Sequence, residues 1–353
     1  MEAHLATLFE SIADAIPARP ALTHGEATRT WAEVDGRAAR IAGALAAAGL
    51  GPTAKVGLYL YNGPEYLEAQ LAILKGRGVP VNINYRYRDQ ELVYLLENSD
   101  AEALVFHSSL ADRVQRVAAQ LGALKLLVQV PDDGAGLVAG AVDYESLVAG
   151  SAPLPRITRS PDDMFLLYTG GTTGMPKGVM FLLGSWTTSF AAGALMQLGL
   201  DPLTPLDDVP AIVAGLADAQ RIVTAPCAPL MHGTGLTLGA LVPQTVGAEV
   251  VTMTSRSFDA HELLAAVERH GITNLAIVGD VFSKPIVRAV DERAATGRPY
   301  GLDSLQRIYS SGAMWSAEVK QQLLDRLPNV SLFDIMNSSE GAMATQVTTH
   351  DAR

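Results

Sequence analysis

The chain has 353 residues, 37 acidic against 26 basic, and a formal net charge of −11. With no grouped Lys or Arg to meet phosphates, that balance excludes a nucleic-acid partner. A hydrophobic content of 48% against 18% charged residues excludes disorder, and the single cysteine, Cys227, excludes a disulfide framework or a multi-cysteine metal site.

At roughly 150 residues per domain, the length predicts about two domains or one large two-lobed one. The first twenty residues carry Glu2, Glu10 and Asp14 and no cation before Arg19. A secretory leader starts basic, so none is expected, and the cytoplasm is the default location. Strands are expected over 55–61, 79–83, 103–106 and 126–130, with helices over 64–75, 89–98 and 112–121. The 150–161 stretch, rich in Pro and Gly, reads as a surface connection, and 202–210 as another. Further strands are expected over 164–168, 221–225, 249–252, 274–278, 305–310 and 330–334, with helices over 259–270 and 316–326. Near-continuous apolar strands alternating with helices predict an α/β fold with parallel sheets covered on both faces. The stretches 178–200 and 222–248 lack charge. The first is broken by Gly184 and polar residues and the second by Pro226, Pro229 and Pro243, so neither is expected to span a membrane.

Only six basic residues are lysines: Lys55, Lys75, Lys125, Lys177, Lys284 and Lys320. One of them closes the densest motif of the chain, Tyr168 to Gly178 (YTGGTTGMPKG). Gly170, Gly171, Gly174 and Gly178 let backbone approach a ligand closely. Thr169, Thr172 and Thr173 add hydroxyls, and Lys177 adds a cation. Successive amides with a cation make an anion cradle suited to phosphates. The Walker pattern is excluded, because Pro176 precedes Lys177 and Gly178 follows it; the dinucleotide G-x-G-x-x-G spacing also fails.

This loop resembles the phosphate-binding signature of the adenylate-forming superfamily, typified by acyl-CoA synthetases, with Gly170 where that family has serine. Further blocks follow in the family's order: Pro229 to Leu236 (PLMHGTGL), Ser311 to Met314 (SGAM) and Asp334 to Gly341 (DIMNSSEG). The resemblance implies the large N-terminal domain of that fold, with two helix-flanked, mostly parallel β-sheet lobes, one near 50–185 and the other near 1–49 plus 186–353. It implies ATP, Mg²⁺ and coenzyme A, and activation of a hydrophobic carboxylic acid, fatty or sterol-derived, to an acyl-adenylate and then a CoA thioester. Thr169, Gly170, Gly171, Thr172, Thr173, Gly174 and Lys177 would hold the β- and γ-phosphates. Glu340 would bind Mg²⁺ and Ser339 the α-phosphate. Gly312, Ala313 and Met314 would face adenine, with Met336 and Asn337 on its other side and Asp334 and Ser338 among the nucleotide contacts. His232, with Gly233, would meet the acyl carboxylate and later the thiol, and Gly279 with Asp280 would wall the acid pocket. Lys177, His232 and Glu340 would carry the chemistry.

Met336 stands where the family stacks a tyrosine on adenine, and Asn337 replaces its glycine, which implies altered or weaker ATP binding. Other readings stay open: a fatty acyl-AMP ligase serving a carrier protein, a non-catalytic nucleotide-binding module or inactive homologue, and a homodimer as in other family members. Because the small C-terminal domain with the family's catalytic lysine is absent from these 353 residues, this chain alone is expected to bind nucleotide weakly and catalyse little. Robust ATP–pyrophosphate exchange by the 353-residue protein would refute that expectation.

Overall fold

The computed structural model describes residues 1–132, 136–170, 175–338 and 341–350. Among them are fifteen strands: β1 (Pro20–His24), β2 (Ala27–Thr30), β3 (Lys55–Tyr59), β4 (Val79–Asn82), β5 (Ala101–His107), β6 (Leu126–Val130), β7 (Ala141–Asp143), β8 (Met164–Thr169), β9 (Lys177–Leu182), β10 (Val223–Pro226), β11 (Glu249–Thr252), β12 (Asn274–Ile277), β13 (Arg307–Ser310), β14 (Ser331–Ser338) and β15 (Gly341–Thr348). The fold is α/β, as the apolar strand runs predicted. None of the helices among the described residues is long and apolar enough to cross a membrane.

Two compact units emerge: Met1–Arg19 with Arg29–Gly215, and Pro20–Thr28 with Leu216–Arg353. This division differs from the expected lobe ranges. Helices Leu5–Ala15 and Trp31–Ala47 bury their apolar faces in the first unit, where Phe9 meets Trp31 edge-on at 6.0 Å. The second helix starts at a capping box, with Thr30 and Glu33 satisfying each other's backbone N–H groups.

The first unit holds a seven-stranded sheet in the order β7-β6-β5-β3-β4-β8-β9. All its pairs are parallel except the β8–β9 hairpin. Leu92, Leu95, Leu96, Leu104, Phe106 and Val114 are among the side chains that fill one core cluster. The 151–163 connection follows the surface, as expected, but it drives Arg159 inward. That guanidinium grips Glu10 with two bonds of 2.8 Å, while Lys75 Nζ reaches Glu10 at 2.7 Å and Asp35 at 2.6 Å. Nearby, Arg77 holds Asp163 through bonds of 2.7–3.2 Å. Buried charges so paired and hydrogen-bonded are tolerated, whereas removing one partner strands the other.

The second unit holds an eight-stranded sheet in the order β15-β14-β13-β12-β10-β11-β1-β2. The neighbours from β1 through β11, β10, β12 and β13 to β14 pair in parallel, and β15 closes the edge antiparallel to β14. Helices Ala260–His270, Gly279–Ala295 and Ala317–Arg326 pack over it around Leu263, Val267, Leu275, Ile286, Ile308 and Leu323. The charge run at Asp291, Glu292 and Arg293 is exposed or half-exposed but cross-linked. Asp291 takes Arg326 in a two-pronged pair at 2.7 Å, and Glu292 meets His261 at 3.0 Å.

His4 caps the first helix by accepting the Ala6 N–H on Nδ1 at 3.1 Å, and it is fully buried. Burial, then the charge of Arg159, brings its pKa down from 6.5 to about 4. Unfolded chain takes up this proton near pH 6.5 and folded chain only near 4. His4 therefore favours the fold fully above pH 6.5, and that advantage drains as pH falls towards 4, by up to about 3 kcal/mol. His4→Asn keeps a capping side chain but not the titration. Urea unfolding at pH 7 and pH 4.5 is expected to show a smaller acid-induced loss in the variant, and an equal loss in both proteins would sink the assignment.

Candidate active site

In the first unit the glycine-rich loop lies between β8 and the antiparallel β9. β8 and β9 pair so that Thr169 faces Lys177 and Tyr168 faces Gly178. Phe165 and Phe181 sandwich the flank of the hairpin against Trp186, at 4.7 and 4.3 Å between ring centres. Two side chains that sequence reading missed secure the loop's base. Asn82, at the end of β4, takes the Tyr168 N–H on Oδ1 at 2.6 Å and donates to the Tyr168 carbonyl at 2.9 Å. It thus supplies the strand partner that β8 would otherwise lack there. At the far side of the loop, Tyr94 donates to the Pro176 carbonyl at 3.3 Å. The only available signal was an asparagine inside an apolar strand, at Asn82. The Tyr168 hydroxyl donates to Asn98, and burial pushes its phenol up to about 12.

The glycines of the loop separate by cause. A Cβ on Gly178 would press on Leu166 at 3.0 Å and on the Tyr168 ring at 3.1 Å, so a side chain there would need both to shift. At Gly170 a Cβ would meet nothing within 4 Å. Lys177 is exposed and has no carboxylate partner among the described residues, and Thr169 is half-buried beside it. Gly171, Thr172, Thr173 and Gly174 lie outside the described residues, as do Ser339 and Glu340. The hairpin ends that are described fit a phosphate-bearing ligand: an unpaired cation next to a hydroxyl, on an anchored turn.

In the second unit, β10, β12, β13 and β14 run parallel, so the segments that follow them leave from one end of the sheet, where open α/β sheets place ligands. After β10 comes Pro229 to Gly233, with His232 exposed, leading into a π-helical segment Thr234–Leu241. Wide π turns recur at functional sites. Thr234 donates to the Ser311 carbonyl at 3.3 Å, which brings Gly233 and Thr234 to the strand-end segment of Gly312, Ala313 and Met314. Gly312 has φ +91° and Gly279 φ +53°, both in the left-handed region. A Cβ on Gly279 would sit 2.3 Å from the Met314 carbonyl oxygen. Met314 and Met336 present themselves to solvent, 83% and 62% exposed. Asn337 and Ser338 end β14.

Both aspartates assigned to ligands have internal partners. Asp280 accepts the Ser316 N–H at 3.0 Å and its hydroxyl at 2.9 Å, with Lys284 at 3.2 Å. Burial pushes the Asp280 carboxyl up, but the Ser316 and Lys284 contacts outweigh it and hold the group below the usual carboxylate range. Asp334 meets Lys320 Nζ at 2.7 Å; that lysine is buried over the Trp315 ring and has to be neutralised. Both carboxylates therefore shape the strand-end segment from within. Cys227 behaves as a small hydrophobe: burial pushes its thiol up to about 12. No cluster of three metal-ligating side chains occurs among the described residues.

The family AMP-binding enzyme matches residues 9–353. The chain is 35% identical to the Medium-chain acyl-CoA ligase Mig of Mycobacterium avium, over 97% of this chain and 64% of that protein. It is 33% identical to the 3-oxocholest-4-en-26-oate–CoA ligase of Rhodococcus rhodochrous, over 96% of this chain and 61% of that one. It thus spans less than two thirds of the length of these relatives. A solved long-chain-fatty-acid-CoA ligase from Archaeoglobus fulgidus shares the fold, with a TM-score of 0.77 at 20% identity over 98% of this chain and 66% of the other.

Gly279→Ala should cost at least about 2 kcal/mol, since it combines a left-handed backbone with a carbonyl clash. Gly170→Ala should stay within about 0.5 kcal/mol of the parent. Chemical denaturation of both variants checks this, and equal stabilities would contradict the strand-end packing described.

Proposed function

The chain belongs to the AMP-binding enzyme family, and from that premise we propose that it carries the nucleotide- and acid-binding part of an ATP-dependent acid–CoA ligase. The observation that carries the reading is the state of its lysines. Lys75, Lys125, Lys284 and Lys320 each sit in an ion pair. Lys177, on the glycine-rich hairpin of a chain of net charge −11, is exposed and unpaired among the described residues. A cation kept clear of carboxylates suits an anion, and charge-assisted bonds to phosphate are the strong ones.

In this reading Lys177, Thr169 and the loop from Gly170 to Gly174 receive the β- and γ-phosphates of ATP. Ser339 meets the α-phosphate, and Glu340 holds Mg²⁺, a hard cation that takes oxygen ligands. Gly312, Ala313 and Met314, with Met336 and Asn337, cover adenine, and Met336 does so through a polarizable thioether rather than a stacked ring. His232 and Gly233 meet the reacting carboxyl group, and Gly279 walls its pocket. The acid's carboxylate oxygen attacks the α-phosphorus, the α–β bridging bond breaks, and pyrophosphate leaves with its electron pair. Lys177 and the loop stabilise the charge that grows on that leaving group. The thiol of coenzyme A then attacks the acyl carbon, its proton is lost, and AMP departs. Leu230, Met231, Leu236 and Leu238 flank His232 and favour an aliphatic or sterol-derived acid over an amino acid; the two relatives named for medium-chain acyl and cholestenoate substrates support the same choice. Cytoplasmic ATP and CoA pools fit this chemistry.

Calorimetric titration with MgATP tests the reading. A charge-assisted contact worth about 1.5–3 kcal/mol predicts binding roughly 10- to 100-fold weaker in Lys177→Ala. Equal affinities in parent and variant would remove the phosphate assignment. AMP formation from dodecanoate, a sterol-derived acid and phenylalanine, assayed with the full-length protein, then reads the substrate class.

A further inference from the structure

Outside this machinery, the second unit carries a chain of three side chains drawn from three segments. His261 stands in the first turn of helix Ala260–His270, Glu292 in the last turns of helix Gly279–Ala295, and Tyr300 in the segment that follows it. His261 Nε2 lies 3.0 Å from Glu292 Oε2, and Nδ1 lies 2.9 Å from the Tyr300 hydroxyl. The carboxylate can only accept, so the imidazole proton sits on Nε2, and the Nδ1 lone pair faces the phenol. The His261 carbonyl is a second acceptor for that phenol, more distant at 3.5 Å.

The arrangement is fixed rather than incidental to a loose surface. The Tyr300 ring packs against the main core cluster of the unit, and the next residue, Gly301, donates its N–H to Glu268 at 3.3 Å. The Arg293 guanidinium lies over the Tyr300 ring, 5.1 Å from its centre. A cation there favours negative charge on the phenolic oxygen. His261 and Glu292 are about half exposed and Tyr300 is half-buried, so the three side chains lie at the protein surface. A nucleophile whose base is oriented by a third group is the general arrangement for activating a weak hydroxyl.

We propose that Tyr300 is a base-activated acyl acceptor, modified by electrophiles of the activated-ester and acyl-anhydride class. The phenolic proton passes to His261 Nδ1 as the oxygen attacks the acyl carbon. A new carbon–oxygen bond forms, the bond to the leaving oxygen breaks, and the leaving group departs with that electron pair. His261 returns its proton to solvent, and Tyr300 remains as an aryl ester. Glu292 is the positioning residue: it fixes the tautomer and steadies the imidazolium. An acyl-adenylate belongs to the same class of electrophile, but the step needs no nucleotide and stands apart from the ligase reading.

The experiment treats the 353-residue protein with 4-nitrophenyl acetate at pH 7.5, following 4-nitrophenolate release and mapping acetyl groups by peptide mass spectrometry. Tyr300 is expected to acetylate at least about tenfold faster than any of the other nine tyrosines, a modest share of what a positioned general base supplies. His261→Gln should bring its labelling to the level of the rest. Glu292→Gln should slow it several-fold, with Glu292→Asp restoring part of the rate. These side chains are surface groups, and matched circular dichroism melts confirm that each variant is folded. The proposal is overturned if Tyr300 labels no faster than the other tyrosines or if His261→Gln leaves its labelling unchanged. A nitrophenolate burst that persists in full in Tyr300→Phe also overturns it, because the nucleophile is then another group.

Discussion

Parallel strands use their backbone groups on each other, so a parallel sheet can offer chemistry only where its strands stop. That constraint organises both units. In the first, β8 ends at Thr169 and its hydrogen bonds pass to a hairpin partner that begins at Lys177. In the second, β12 and β13 end in register, Ile277 beside Ser310, while β14 runs on past that level from Asp334 to Ser338, and the family's blocks lie at this end of the sheet. The segments differ widely in sequence position but share one sheet end. Strand direction brings them to that end, and hydrogen bonds between the segments then fix their spacing.

Holding irregular backbone at a strand end needs partners for its polar groups, and these come from side chains rather than from more strand. Asn82 serves Tyr168, Thr234 serves Ser311, and Asp280 serves Ser316. The Gly279 N–H, at the start of the helix that carries Asp280, goes to Ser310 Oγ at 2.9 Å. The helix start is therefore stitched to the strand-end segment at two places, and only glycine lets the chains come so close. In the second unit His232, Met314 and Met336 are among the side chains these segments turn to solvent. Met314 and Met336 belong to segments that the family resemblance assigns to adenine, a flat ring whose face a polarizable thioether can cover.

The buried parallel strands were legible in the sequence because both of their faces are covered, and their apolar runs are nearly unbroken. β1, β2, β7, β9 and β15 were not legible: they are short, or half-exposed, or at sheet edges, and β9 shows apolar and polar residues without a clean period. The glycine-rich loop was legible because four glycines, three threonines and a lysine fall within eleven residues. Its supports were not, since nothing local to Asn82 or Tyr94 announces partners 86 and 82 residues away. Asp280 and Asp334 show the reverse difficulty. Each stands beside a recognisable block, but its carboxylate is engaged by a partner, Ser316 or Lys320, that only the fold brings near.

Charge placement extends the same logic to the whole chain. Eleven excess negative charges do not prevent an anion from binding, because at moderate salt a charge beyond about 10 Å is largely screened. What matters is the cation within reach and whether a carboxylate has already claimed it. In the first unit Glu10 and Asp35 claim Lys75, Glu102 claims Lys125, and Asp14 claims Arg156. Those pairs bind helices and the 151–163 connection together, and they leave few cations uncommitted. Lys55 at the start of β3 and Lys177 at the start of β9 are the two lysines without an ion-pair partner among the described residues. Only Lys177 adjoins a loop built of glycine and threonine. Under the proposed reading the acidic surplus does not oppose the site, because Lys177 is a cation that no described carboxylate has claimed, at the end of the glycine- and threonine-rich loop.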